Sequence, residues 1–240
     1  MSRLQPYLLL SYLLGCLCGI TSASPTPHDL RQLVKPAIGS GYSIIDVLQS
    51  DLDHNGDPEV IAITSKQIEN GHPLGGEIVI LHYNKSRLHV VWRQARLNPW
   101  KLQLGDVDGY GRTEIICGVW KKSPKDPVME KRTFVYSWNG RRMMPMWLGS
   151  RLSRRFDDFA VADVNGDRMA EIVSLERAPG GKHRISIYRW FSFGFESLAS
   201  SDEIIGLATV NKRHDCVVVT SNRGDLRVQL AGKSIRLNKI

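Results

Sequence analysis

Three stretches of the chain place oxygen-bearing side chains at the spacing a hard cation needs. They read DLDHNGDPE from Asp51 to Glu59, DVDGYGRTE from Asp106 to Glu114, and DVNGDRMAE from Asp163 to Glu171. Each has Asp first, Asp or Asn third and Glu ninth. A calcium ion takes six to eight oxygens at about 2.3–2.6 Å. A loop with side-chain oxygens at positions 1, 3 and 5, a backbone carbonyl at 7 and a carboxylate at 9 can wrap one such ion. Glycine at position 6 permits the sharp turn.

The first loop has every element: Asp51, Asp53, Asn55, Gly56, the carbonyl of Asp57, and Glu59. The second has Asp106, Asp108, Gly111 and Glu114, but Tyr110 at position 5 offers no carboxylate. The third has Asp163, Asn165, Asp167 and Glu171, but Arg168 stands in place of the glycine. Calcium is therefore expected first at the first loop. Asp, Asn and Gly also favour turns for purely conformational reasons. One such loop is weak evidence; three in phase, each with acids at positions 1 and 9, are stronger.

The loops start roughly 55 residues apart, so they belong to a repeat. Each is followed at once by an apolar run: VIAI, IICGV, IVSL. After a polar stretch comes a strand, a tight turn and another strand, with Asn139-Gly140 the clearest turn because both residues tolerate positive φ. Trp92 and Trp147 fall at matching places. A fourth copy, from Ile204 onward, has lost the acidic loop: Thr209 stands at the first position and Arg213 near the fifth. About four units, each of four short strands, predict an all-β fold, a β-propeller-like array of about four four-stranded blades over residues 41–240. The near-continuous apolar runs fit sheets covered on both faces. Residues 24–40 read as a linker, with a strand near Leu30 to Lys35 that closes a ring; a closed ring, an open array and a ring completed by a second copy all fit.

At these residues the sequence resembles the FG-GAP and VCBS repeat family, whose repeats also occur in integrin-α propellers. The nearest stretch is FDDFAVADVNGD, Phe156 to Asp167, and the resemblance covers roughly residues 40 to 230. It implies propeller blades whose loops bind calcium. Carried over by position, it implies Asp51, Asp53, Asn55, Asp57 and Glu59 as ligands, with the matching residues of the next two loops.

The N-terminus is read as an export signal of a bacterial protein, residues 1–23. Arg3 precedes the apolar run YLLLSYLLGCLCGI, followed by small residues. The run of about 14 residues is short of the roughly 20 a spanning helix needs. Two cleavage readings stand: a lipobox ending at Cys16, which would carry lipid, or an ordinary site after Thr21-Ser22-Ala23. Cys117 and Cys216, far apart and each in an apolar run, make no metal or catalytic pattern and read as buried small residues.

The net charge is +8, spread without a long basic run. Diffuse positive charge favours anionic surfaces in general. No HExxH, GxSxG, Walker or CxxC motif is present. These features point to a non-enzymatic exported protein or lipoprotein of the cell envelope, secreted or lipid-anchored, that binds or scaffolds a protein or an anionic envelope polymer. A lipid anchor would add the membrane as a partner; no specific nucleic acid is expected. An exported carbohydrate-active enzyme, such as a polysaccharide lyase, is the competing reading. Arg223-Gly224-Asp225 spells an adhesion tripeptide but falls where a hairpin must turn. The stretches joining second to third strands, Lys121 to Lys131 above all, are expected to form a basic docking face.

Overall fold

The computed structural model describes residues 26–240 apart from 86, 150, 151 and 215. The signal segment and Cys16 lie outside the described residues. Four antiparallel four-stranded sheets follow one another along the chain. The first contains β1 (Ser43–Ser50) and β2 (Glu59–Ser65). A small hairpin, β3 (Gln67–Glu69) and β4 (His72–Leu74), intervenes. The sheet resumes with β5 (Glu77–Asn84) and β6 (Arg87–Ala95). The second comprises β7 (Pro99–Gly105), β8 (Glu114–Ser123), β9 (Asp126–Trp138) and β10 (Met143–Leu148). The third comprises β11 (Phe156–Ala162), β12 (Glu171–Ala178), β13 (Lys182–Phe191) and β14 (Gly194–Ser200). The fourth comprises β15 (Leu207–Arg213), β16 (Cys216–Ser221), β17 (Gly224–Ala231) and β18 (Ser234–Lys239). The fold is thus all-β and propeller-like, as the repeat predicts.

The apolar runs become strands buried on both faces. Every residue of β2, from Glu59 to Ser65, is buried. Its alternate side chains enter two different cores. Ile61 and Ile63 face the second sheet with Leu102, Ile115 and Cys117; Val60 and Ala62 face the other way. A second core joins sheets two and three through Ile116, Phe159 and Ile172, and a third joins sheets three and four through Val173, Ile187 and Val219. Cys117 is buried and Cys216 partly exposed; both are free thiols.

The first strand of each sheet carries a bulge: between Ile44 and Asp46, Pro99 and Lys101, Phe156 and Asp158, and Leu207 and Thr209. A bulge re-aims the next side chain. Here it turns polar groups toward the neighbouring sheet. Lys101 Nζ donates to Asp158 Oδ1 at 2.7 Å and to the Val210 carbonyl at 2.8 Å, and Asp158 Oδ2 accepts from Val210 N at 2.9 Å. Three first strands, β7, β11 and β15, are thereby tied by one buried charge network.

The array is open. The expected closing strand is instead helix α1 (Pro27–Ile38). Thr26 caps it: its hydroxyl accepts from Asp29 N at 3.3 Å, and the Asp29 carboxylate accepts from Thr26 N at 3.0 Å. Leu30, Val34 and Ile38, four residues apart, form one apolar stripe against Val47, Val60, Val79 and Leu81 of the first sheet. The helix covers the face on which a ring-closing sheet would pack. At the other end, β17 and β18 turn Leu226, Leu230, Ile235 and Leu237 toward the third sheet and carry the exposed Arg227, Gln229, Arg236 and Asn238 on the opposite side.

The stretch expected as a basic loop, Lys121 to Lys131, is mostly strand: β8 and β9 extend into a long hairpin turning at residues 124 and 125. Arg132 is fully buried and donates to the carbonyls of Lys121, Asp126 and Val128, which holds the hairpin together. Lys131 points inward, its ammonium 2.5 Å from the Asp157 carbonyl and 4.4 Å from the centre of the Trp100 ring. It is therefore unavailable to a docking polymer. Among the described residues no helix is long and apolar enough to cross a membrane.

Candidate metal centre

The three acidic loops join the first strand of a sheet to its second, and all three have one backbone shape. Positions 4 and 6 have positive φ in each: His54 (60°) and Gly56 (92°), Gly109 (79°) and Gly111 (76°), Gly166 (87°) and Arg168 (71°). Sequence reasoning foresaw this need at position 6 only. Arg168 adopts the left-handed conformation that glycine would take more easily.

The position-1 aspartate nucleates each turn by accepting backbone N–H bonds. Asp51 takes Asn55 N at 3.1 Å and Gly56 N at 3.0 Å. Asp106 takes Gly109 N at 2.7 Å and Gly111 N at 2.8 Å. Asp163 takes Gly166 N at 2.6 Å and Arg168 N at 2.8 Å. The position-9 glutamate is the first residue of the second strand and reaches back. Glu59 Oε2 accepts from Leu52 N at 2.8 Å, Glu114 Oε2 from Val107 N at 2.9 Å, and Glu171 Oε2 from Val164 N at 2.9 Å. Each of these glutamates spends one oxygen on its own loop; the other is without a hydrogen bond in Glu59 but is taken by the Asn165 amide in Glu171.

In the first loop Asp51, Asp53 and Glu59 bring a carboxylate oxygen apiece within 4.8 Å of one another. Glu59 is fully buried. Its Oε1 and Asp53 Oδ1 have no hydrogen-bond partner. His82 Nε2, on β5, lies 3.0 Å from Glu59 Oε1 but outside hydrogen-bond geometry. Burial raises the Glu59 carboxyl above its usual range, opposed by the bond from Leu52 N, reinforced by the charge of Asp53 and opposed again by the nearby His82. Two buried carboxylate oxygens that accept no hydrogen bond, with one poorly aligned imidazole beside Glu59, are costly to keep charged. A divalent cation would supply the hydrogen-bond-free oxygens with a stronger counter-charge than His82 does, so the residues present fit one. Asn55 and Asp57 are exposed, and the Asp57 carboxylate stands outside the cluster.

The second loop gathers Asp106, Asp108 and Glu114 within the same limit. Burial pushes Glu114 up to about 7, against the Val107 N–H bond and helped by Asp108 and Asp106. Tyr110 at position 5 projects into solvent. Two buried acidic clusters, one on each of the first two sheets, could therefore each hold a metal ion.

The third loop is closed differently. Asn165 Nδ2 donates to Asp167 Oδ2 at 2.9 Å and to Glu171 Oε1 at 2.7 Å. The amide bridges the two carboxylates where a cation would sit. Burial lifts Glu171 to about 7, with Asp167 and Asp163 adding to it. Asp163, Asp167 and Glu171 do not draw together as the other two sets do. In the fourth sheet Arg213 pairs with Cys216, so the nine-residue loop is gone, and no acidic set gathers there among the described residues. In the adhesion-like tripeptide, the Asp225 carboxylate is paired with Arg213 at 2.5 Å and Gly224 begins β17.

Two features escaped the sequence. His82 lies 23 residues beyond Glu59 and reaches it only because β2 and β5 are paired. The turn of the second sheet also closes over the first loop, since a side chain at Gly140 would stand 3.0 Å from Asp53 Oδ2. Compared with known proteins, the chain matches no family model and no curated protein.

Proposed function

We propose that the chain is an exported, non-catalytic binding module whose first two loops bind calcium, and that the ions hold the loop end of the array rigid. The observation that carries this reading is the Asp51, Asp53 and Glu59 cluster, in which two buried carboxylate oxygens accept no hydrogen bond and Glu59 Oε1 faces only the His82 imidazole at 3.0 Å. All-oxygen carboxylate donors suit a hard cation. The resemblance to FG-GAP and VCBS repeats supports the same assignment, and the apolar leader supports export. The non-catalytic part rests on the in-phase acids being spent within their own loops.

Isothermal titration of calcium into the metal-stripped protein tests the reading. Saturable binding of one to two ions, reduced by Asp51→Ala with Asp53→Ala, is expected. No heat of binding, together with a melting temperature indifferent to chelator, would show that the loops are only turns. Release of product from acidic polysaccharides would overturn the non-catalytic part.

A further inference from the structure

The two-residue turn between β13 and β14 carries Phe193 at its tip, 82% exposed, after Ser192 at φ 57°. Turn positions of this kind ordinarily carry Gly, Asn or Asp. Phe191 beside it is 60% exposed, and Tyr110, on the second acidic loop, is 84% exposed. None of the three rings pairs with another aromatic among the described residues. The ring contacts nearby, Trp147 with Phe195 at 5.1 Å and Trp190 with Phe195 at 5.3 Å, lie between partly buried side chains. Three large exposed aromatics from two sheets thus meet without burying one another.

All three border one groove, and Tyr110 also borders a second. One, of about 530 Å³, runs between Tyr110 and the Phe191–Phe193 turn. The other, of about 440 Å³, is bordered by Tyr110, Arg112 and Glu114. Asp108, Tyr110 and Met146 are common to both. The lining therefore alternates flat apolar rings with acceptors (Asp108, Glu114) and donors (Arg112, Tyr110).

We infer that these two grooves, joined at Asp108, Tyr110 and Met146, bind a neutral saccharide chain, one sugar ring packing its C–H face on Tyr110 and Phe193 in the first while hydroxyls of the chain bond Asp108 and, in the second, Arg112. The charge pattern selects this occupant. An anionic polymer would face Asp108 and Glu114. A quaternary amine would suit exposed rings, but it would meet Arg112 and compete with any cation for the same carboxylates. A polyol carries both donors and acceptors at its rim and apolar faces on its rings, so it matches all three groups. The inference draws on the calcium reading in one respect: an ion on Asp106, Asp108 and Glu114, lacking a carboxylate at position 5, would have a coordination site open to a sugar hydroxyl.

The test is titration of the full protein with cellohexaose, maltohexaose, mannohexaose and chitohexaose, in calcium and in chelator, read by tryptophan fluorescence and calorimetry. Saturable binding of at least one is expected, weakened tenfold or more in Tyr110→Ala and in Phe193→Ala, both exposed sites whose melting temperature should not move. No saturation by any of the four would overturn the inference. So would binding unchanged in both variants, or tighter binding of tetramethylammonium or polygalacturonate. Saccharide binding by a protein whose melting is indifferent to calcium would keep the groove and refute only the calcium reading.

Discussion

Glu59→Gln should have opposite effects on the metal-free and calcium-bound protein. In the metal-free fold the Glu59 carboxylate is fully buried, one oxygen is satisfied by Leu52 N and the other accepts no hydrogen bond, with only the His82 imidazole 3.0 Å away. Gln keeps an acceptor for Leu52 N and removes the buried charge, so the metal-free variant should be as stable as the wild type or more stable. With calcium the order reverses. A ligand that binds only the folded state adds RT ln(1 + [L]/Kd), about 2.7 kcal/mol at a hundredfold excess over Kd. For a domain of 150–250 residues, 1 kcal/mol moves the melting temperature about 2–4 °C. The first site alone should therefore add roughly 5–11 °C at that excess, and Glu59→Gln should lose most of that share while keeping whatever the second loop adds. The assay is thermal unfolding followed by circular dichroism, at matched ionic strength in calcium and in chelator. A simple loss of a structural hydrogen bond would lower both melting curves equally. Equal lowering in the two buffers would refute the reasoning that Glu59 is a ligand.

Glu114 and Glu171 sit near 7 in the metal-free protein because burial disfavours their charged forms. Their pKa is raised above the unfolded value, so between about 4.5 and 7 the folded state holds more protons than the unfolded. Their contribution to stability falls as pH rises through that window, and Glu114→Gln with Glu171→Gln should flatten the fall seen in chelator by urea unfolding. Calcium needs the deprotonated carboxylate, so its stabilising effect should be larger at pH 7.5 than at pH 5. Arg168→Gly relieves a left-handed backbone and should raise the melting temperature slightly, by the equivalent of up to about 1 kcal/mol. Leu30→Ala opens the contact between the helix and the first sheet and should cost about 2–4 kcal/mol in urea; a cost near zero would mean that α1 is not a needed cover.

Much of the fold and of the site was legible in the chain because both rest on local chemistry. Strand-forming runs such as VIAI and IICGV, punctuated by turn residues at a constant spacing, determine four meandering sheets. The positions of Asp51, Asp53 and Glu59 determine a loop that hydrogen-bonds to itself, since every partner lies within a few residues. The Thr26-Pro27 start and the four-residue spacing of Leu30, Val34 and Ile38 also specified a helix, and the strand expected there overlooked a local signal. What only the tertiary structure decided involves groups brought together from different strands or sheets. Whether the ring closes depended on the face that α1 covers. The fate of Lys131 depended on Trp100 and Asp157, which belong to other strands. His82 meets Glu59, and Tyr110 borders a groove with Phe193, because strand pairing and sheet stacking juxtapose residues that no sequence window contains. Spacing along the chain sets local hydrogen bonds; only packing sets which side chains are left without a partner, and those are the ones that define the metal centre and the groove.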